Sequence, residues 1–153
     1  MSAIQKQYFA TNLQGYPFYH YGLMHDGQAI CHADLILVGL SHCKQNFKAA
    51  ILSNVLTLPA FRKQGLGSLL IAAISREIQC SKCDFGLLFC DSRLKYFYTA
   101  HNWESFELGL NRIGTSEQFK SFLSLRMMLF VSKKAKAYKS GFSNSPLYLP
   151  HAF

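Results

Sequence analysis

The sequence has few acidic residues and no long hydrophobic segment. Its 153 residues include 8 Asp and Glu against 16 Lys and Arg, which gives a net charge of +8. No apolar run approaches the roughly 20 residues of a membrane-spanning helix, and the opening MSAIQKQYFA lacks the apolar stretch of a signal peptide. We therefore expect a soluble, cytoplasmic protein with no membrane partner. The positive charge predicts an anionic partner, such as nucleic acid, a phosphate-rich cofactor or an acidic protein.

The cysteines are too irregular for a disulfide framework. An odd, scattered set favours reduced thiols. Two of them form Cys80-x-x-Cys83, but this pair lacks the second ligand pair that a zinc site needs, so we expect no metal. A hydrophobic content of 50% is ample for one packed domain, residues 1–153.

The first half of the chain has the pattern of antiparallel strands. Asp26-Gly27, between two apolar and aromatic runs, is a strong hairpin-turn signal. A polar segment at residues 41–46 predicts a second turn. The predicted strands are Pro17–Met24, Ala29–Val38 and Phe47–Thr57.

The second half alternates helices with strands. Apolar residues recur at helical spacing over Leu66–Gln79 and, more briefly, over Ser92–His101. Asp84–Cys90 is nearly all apolar, as expected of a central parallel strand that is buried on both faces. Two late strands, Trp103–Leu108 and Phe122–Val131, complete the pattern. Together these elements predict an α/β domain with a mixed sheet.

A loop with two glycines joins the third predicted strand to the first predicted helix. The first N–H groups of a helix have no intrahelical partner, and the helix dipole is positive there. Gly65 and Gly67 let a phosphate approach this backbone, while Arg62 or Lys63 adds positive charge. A plain structural turn is the alternative. The nucleoside triphosphatase loop GxxxxGK[ST] and the third glycine of the dinucleotide fingerprint are both absent.

Two motifs resemble those of the GNAT acyltransferase superfamily. The segment Val55-Leu56-Thr57, Pro59 and Arg62-x-x-Gly65-x-Gly67 resembles its acetyl-coenzyme A motif, [RQ]-x-x-G-x-[GA] after a strand. The segment Asp91-x-x-Leu94-x-x-Phe97-Tyr98-x-x-x-Asn102-Trp103 is similar to its N-x-x-A-x-x-[FL]-Y-x-x-x-G-[FW] signature. The motifs occur in the family's order, and the stretch from Phe85 to Trp103 looks most like the branch of aminoglycoside 2'-N-acetyltransferases and nodulation N-acyltransferases.

The resemblance implies a mixed, mostly antiparallel central sheet with helices on both faces, and acetyl-CoA as co-substrate. The backbone of Val55, Leu56 and Thr57 would pair with the pantetheine arm and help to hold the oxyanion. Tyr98 would protonate the departing thiolate, unless it is simply a core aromatic. The pyrophosphate would be held by Arg62 and by the backbone N–H groups of Lys63, Gln64, Gly65, Leu66, Gly67 and Ser68.

The sequence departs from the family at the polar positions. Asp91 replaces an Asn that would donate to the pantetheine amide, and a carboxylate there can only accept. Two positions where relatives carry a Glu correspond to Ser53 and Gly86, and neither can take a proton. The candidate bases are His32, Asp34, His101 or a water chain, unless the acceptor amine arrives neutral. Cys90 as an acyl-accepting nucleophile is a weaker alternative, because the family usually transfers directly.

The region before the hairpin is short for this family. Superfamily members usually have a strand and two helices there, and the helices roof the acceptor site; the residues before Asp26 are too few for all three. We therefore expect a shortened N-terminal helical region. The acceptor pocket would be unusually open, or it would be completed by a second subunit in a homodimer or by the tail Tyr148–Phe153.

The leading expectation is an acyl-CoA-dependent N-acyltransferase that acts on a small-molecule primary amine by direct attack in a ternary complex. Residues 118–153 contain six basic and no acidic side chains, so a large anionic acceptor, such as aminoacyl-tRNA or an acidic carrier protein, is one alternative. A non-catalytic acyl-CoA-binding module is another, because the base is missing. The scarcity of carboxylates argues against polycationic aminoglycosides as acceptors.

Overall fold

A seven-stranded sheet forms the centre of the protein in the computed structural model, which describes residues 3–12 and 14–153. A smaller three-stranded sheet and four helices surround it. In chain order the elements are β1 (Ala3–Phe9), β2 (Phe18–His25), β3 (Gln28–His42), β4 (Gln45–Thr57), α1 (Leu66–Gln79), β5 (Phe85–Cys90), α2 (Lys95–Thr99), β6 (Glu104–Phe106), β7 (Asn111–Gly114), β8 (Phe119–Phe122), β9 (Leu125–Phe130), α3 (Lys133–Ala137), α4 (Lys139–Asn144) and β10 (Leu147–Leu149).

The strand order of the large sheet is β1-β2-β3-β4-β5-β9-β6, and that of the small sheet is β10-β7-β8. Within the large sheet β4 and β5 are parallel, and the other neighbouring strands are antiparallel. The predicted mixed, mostly antiparallel sheet is therefore confirmed. The all-apolar β5 is central, as expected, but it is parallel only to β4 and runs antiparallel to β9.

Helices cover both faces of the sheet, as predicted. On one face α1 buries Ile71 and Ile74, and Tyr98 of α2 packs in the same apolar cluster. On the other face Ala135 of α3 and Phe142 of α4 pack against Phe85. The bounds of α1 are those predicted from its apolar spacing. Among the described residues no helix is long and apolar enough to cross a membrane.

A buried arginine joins the two sheets. Arg126 of β9 has no solvent exposure, and burial lowers the pKa of its guanidinium to about 10. Its Nε donates to Asn111 Oδ1 at 2.8 Å, while its two terminal nitrogens donate to the carbonyl oxygens of Phe142 and Leu110. Because each donor group has an acceptor, the buried charge is tolerated without a carboxylate.

Several short elements were not predicted. Every residue of β1 is exposed, so its sequence lacks the apolar alternation that indicates a strand. The strands β7, β8 and β10 and the helices α3 and α4 are all too short for a periodic signal. The helix predicted over Ser92–His101 consists of a 3-10 turn followed by α2, and the two late strands are shorter than predicted.

The connection between β1 and β2 contains no helix in its described residues. Residues 10–17 span it, and Asn12 Oδ1 accepts the N–H groups of Gln14 at 2.9 Å and Tyr16 at 3.0 Å. These hydrogen bonds form an Asx-type turn. The expected shortening of the N-terminal helical region is confirmed.

Candidate functional site

The strands β4 and β5 diverge in the middle of the sheet. They are paired only where Ala49–Ile51 lies beside Phe85–Leu87; beyond this point β4 continues along β3, and β5 along β9. Asn54 adopts a left-handed φ of 53°, and a bulge places Asn54 and Val55 opposite one residue of β3. A bulge increases local twist, which accounts for the divergence. Val55, Leu56 and Thr57 thus lie on an edge of β4 that turns away from β5.

The loop after β4 leads into an uncapped helix start. Arg62 Nε donates to the carbonyl oxygen of Thr57 at 2.9 Å, which folds the loop back onto the end of the strand. Gly65 begins α1 with a φ of 75° and no side-chain cap. Leu69 N–H donates to Gly65 O, so the N–H groups of Leu66, Gly67 and Ser68 precede the first intrahelical hydrogen bond. This arrangement suits a phosphate group.

The helix start is packed closely against its surroundings. A Cβ added to Gly67 would lie 3.5 Å from Thr57 Oγ1 and 3.7 Å from the ring of Phe97, so the loop touches both β4 and α2. Ser68 Oγ and His101 Nε2 are 2.9 Å apart. The predicted backbone residues of the phosphate loop, from Lys63 to Ser68, are therefore contiguous with the divergent edge of β4.

Tyr98 is buried beside this edge. Its ring packs edge-on against Phe97 and Trp103, and its hydroxyl has no hydrogen-bond partner among the described residues. Burial, and secondarily Cys90, raises the pKa of Tyr98 to about 12. The phenol therefore keeps its proton at physiological pH, as a proton donor to a thiolate must. Burial also raises the pKa of Cys90, and because the thiolate is the nucleophile, this disfavours Cys90 as an acyl acceptor.

Asp91 has a local structural role. Its carboxylate caps the 3-10 turn before α2 by accepting the N–H of Arg93 at 2.9 Å. The guanidinium of Arg93 forms two further hydrogen bonds with it. These bonds lower the pKa of Asp91 and keep it ionised. Asn102, which stands where the signature has Gly, has a φ of 71°, in the left-handed region that Asn tolerates.

The absence of a glutamate at position 86 has a steric cause. A Cβ added to Gly86 would lie 2.8 Å from Cη2 of Trp103. The indole is fixed because its Nε1–H donates to Ser75 Oγ at 2.9 Å in the core. The side chain of Trp103 therefore fills the space that an acidic residue on β5 would need. Ser53 on β4 is only half-buried, so position 53 carries no such restriction.

A polar cluster lies on the face of the sheet opposite α1. Asp34 accepts a hydrogen bond from His20 Nδ1 at 2.7 Å and another from Asn54 Nδ2 at 2.8 Å. The rings of His20 and His32 are 5.6 Å apart, and His32 Nδ1 is buried without a partner among the described residues. Of the predicted candidate bases, His32 and Asp34 are brought together here, whereas His101 lies by the phosphate loop. His20 was missed, because only the strand register reveals that it lies opposite Asp34.

The C-terminal tail lies beside this cluster. Phe153 contacts the ring of Tyr16 with centroids 5.6 Å apart, and Gln14 Nε2 donates to the carbonyl oxygen of Ala152. A cavity of about 310 Å³ is bounded by the tail and the polar cluster. Its lining includes Phe18, Asp34, Ser53, Asn54, Ala152 and Phe153. The end of the tail therefore forms part of the wall of this cavity.

The remaining candidate features do not form a second site. Lys134 lies 3.9 Å from Asp84, and Lys139 binds Glu104, so the acid-free last segment is partly neutralised by acids from elsewhere. Cys80 and Cys83 are free, and the described residues contain no group of three His, Cys, Asp or Glu that could hold a metal.

Comparisons with known proteins identify the fold. No family model matches the sequence, and no curated protein matches it. Among solved structures, a Klebsiella pneumoniae protein assigned as an acyl-CoA N-acyltransferase superposes with a TM-score of 0.59 at 16% identity, over 86% of this chain and 99% of that one. Escherichia coli ElaA also superposes with a TM-score of 0.59, at 11% identity, over 84% of this chain and 99% of that one.

Further matches support the same fold. The ribosomal-protein-S18-alanine N-acetyltransferase of Escherichia coli gives a TM-score of 0.54 at 18% identity, over 75% of this chain and 70% of that one. The chain spans only 22% of the length of two other matched structures, from Enterococcus faecalis and Kribbella flavida. At these identities the likeness shows a shared fold.

Proposed function

We propose that this chain, which shares the fold of N-acetyltransferases, is an acyl-CoA-dependent N-acyltransferase that transfers acetyl from acetyl-CoA to a primary amine. The observation that carries the proposal is the divergence of β4 from β5, with the uncapped start of α1 after this edge and Tyr98 in the apolar cluster against which Val55 packs. Two independent sequence motifs meet at this one edge. In a chain of low identity to its structural neighbours, such a convergence favours a retained chemistry.

The chain's groups would act in the following way. The backbone of Val55–Thr57 would pair with the pantetheine arm, and an N–H group there would hold the oxyanion as the amine attacks. The N–H groups of Leu66, Gly67 and Ser68, with Arg62, would hold the pyrophosphate. As the C–N bond forms and the C–S bond breaks, Tyr98 would donate its proton to the thiolate. Asp91 would stabilise the turn that positions α2 instead of contacting the pantetheine amide.

We place the reaction in the cytoplasm and favour a small amine as its acceptor. The five free cysteines fit a reducing compartment. The polar cluster contains a single carboxylate, Asp34, which suits one positive charge better than a polycationic aminoglycoside. A large anionic acceptor is less favoured, because Arg126 is buried and Lys134 and Lys139 are close to carboxylates.

Calorimetry with acetyl-CoA tests the proposal. We expect heat from acetyl-CoA and from CoA, and none from ATP, which lacks the pantetheine arm. A panel of primary amines with thiol-release detection then identifies acceptors. The absence of heat at high acetyl-CoA concentration would overturn the proposal. Binding without transfer to any amine would instead favour the non-catalytic module.

A further inference from the structure

The missing carboxylate of the predicted site has a counterpart on the neighbouring strand. The pairing register sets Gln7, His20, Asp34 and Ser53 side by side across β1, β2, β3 and β4. Their chain neighbours Tyr21, Leu35 and Leu52 pack in the cluster beneath α1. Because successive side chains of a strand point to opposite faces, the four polar side chains form one row on the other face. We call this the polar row.

We infer that His20 and Asp34 accept the proton that the acceptor amine loses, with His20 as the base and Asp34 and Asn54 as positioning residues. This inference rests on the proposed function. Ser53 occupies the position where relatives carry a Glu, and Asp34 lies directly opposite it, about 5 Å away across the sheet. The acidic group is thus displaced by one strand within the same row, so the reaction keeps a base on this face.

Hydrogen bonds orient the pair for this task. Asp34 accepts His20 Nδ1–H and so fixes the tautomer in which Nε2 carries the lone pair. Asn54 holds the second carboxylate oxygen, and its left-handed backbone is the same bulge that turns β4 away from β5. The bulge therefore links the base to the edge on which the thioester would lie.

The surroundings of His20 leave it accessible. Its side chain is 40% exposed, against 18% for Asp34, and it lines an open cavity of about 570 Å³. The titratable side chains around it are Asp34 and His32 on β3; Lys6 also lines the cavity, but its amine is bound to Glu77 of α1. The same cavity is lined by Gln5 and Gln7, which are uncharged. This composition suits a singly charged amine with a polar, neutral body.

The proton balance of the step is as follows. A protonated amine loses one proton, by way of water along the polar row, to His20 Nε2, which forms an imidazolium paired with Asp34. The neutral amine forms the C–N bond, the C–S bond breaks, and Tyr98 supplies the proton of the thiol. The acylated nitrogen then loses its second proton, which restores that of Tyr98 by way of solvent, and solvent removes the first proton from His20.

A comparison of acetyl transfer to two simple amines distinguishes base catalysis by His20 and Asp34 from any other role of these residues. Methylamine is protonated at neutral pH and must lose a proton before it can attack, whereas hydroxylamine is largely neutral and attacks without that step. For each, acetyl transfer from acetyl-CoA is measured with the enzyme-free rate subtracted. We expect His20→Gln to lower kcat/KM for methylamine about 100-fold and that for hydroxylamine less than about threefold. His25→Gln, a histidine of the same strand outside the polar row, is the matched control and should change neither.

Further variants test the arrangement. Asp34→Asn should lower kcat/KM for methylamine selectively, as His20→Gln does. Asn54→Gly keeps the left-handed backbone accessible and should lower kcat/KM for methylamine by a smaller factor. Ser53→Glu in the His20→Gln background would return a carboxylate to the polar row. It should raise kcat/KM for methylamine at least about tenfold above that of the His20→Gln variant. This recovery would also show that the His20 variant is folded.

The outcomes are distinct. If His20→Gln lowers kcat/KM equally for both amines, His20 has a structural role and the inference is overturned. A native protein that acetylates hydroxylamine but not methylamine would overturn it as well, while the proposed function would stand. The absence of transfer to either amine would overturn the proposed function itself, and the inference with it.

Discussion

The two sides of the candidate site present different chemical groups, backbone on one side and side chains on the other. We call the divergent end of β4, residues 62–68 and Tyr98 the cofactor edge, and the polar row with its flanking tail the acceptor face. The cofactor edge presents mainly backbone groups from one continuous segment, 55–68. The acceptor face presents side chains that come from four strands and from the far end of the chain.

This difference explains which side keeps a motif. Backbone N–H groups need only the correct turn, so a few glycines and one spacing suffice. A row of side chains needs the correct strand register, which leaves no short motif. Under the proposed function, the acceptor face can therefore change while the cofactor edge keeps its motif.

Placing a glutamate at position 53 or at position 86 gives the strongest contrast. Gly86→Glu would drive a side chain into Trp103 and bury a carboxylate, so we expect a loss of about 3 kcal/mol or more in the free energy of unfolding. Ser53→Glu, on the half-buried acceptor face, should change it by less than about 1 kcal/mol. Urea denaturation of both variants measures the difference. Comparable losses would contradict the steric account of Gly86.

Tyr98→Phe tests the chemical step of the cofactor edge. We expect kcat to fall about 100-fold with little change in KM for acetyl-CoA, because only the proton donor is removed. Tyr96→Phe, two residues earlier and 79% exposed, is the control. Because the pKa of Tyr98 is raised to about 12, its acid form is retained as pH rises, so the native kcat should not fall through deprotonation of Tyr98 below about pH 11. An unchanged kcat in Tyr98→Phe would remove Tyr98 from the mechanism.

Gly67→Leu tests the backbone nature of the cofactor edge. A Cβ at this position meets only ordinary contacts, so the fold should persist, but a longer side chain would cover the N–H groups of the helix start. We expect the Kd for acetyl-CoA to rise about 30-fold, since the phosphate can no longer approach the backbone. The control is Gly39→Leu, where the added side chain enters open space. If calorimetry gives an unchanged Kd, the phosphates bind elsewhere.

Phe153→Ala should have the smallest effect, because the tail only flanks the acceptor face. Removal of the ring opens one wall of the cavity beside Asp34, and we expect KM for the acceptor amine to rise about threefold with kcat unchanged. Leu123→Ala, at a fully exposed position away from the cavity, is the control. An equal change in KM for acetyl-CoA would contradict the assignment of Phe153 to the acceptor face.

The sequence predicted α1 and the strand before it well for a physical reason. The periodicity of α1 and the glycines before it are local signals, and the helix begins and ends where predicted. His20 could not be found in this way, because its partner Asp34 lies across a hairpin and the register depends on a bulge between Leu23 and Met24. The candidate bases were thus chosen singly from the sequence, whereas the base that we propose is a pair that only the strand register brings together.

Asn54 constrains how this protein can change over evolutionary time. Its left-handed backbone produces the bulge at the cofactor edge, and its amide holds the carboxylate of the acceptor face. Glycine could preserve the first role but not the second, and an amide on a longer side chain would keep neither geometry. Under the proposed function, substitutions at Gln5, Gln7 and Phe153 would change the acceptor face alone, whereas a substitution at position 54 would change the cofactor edge and the acceptor face together.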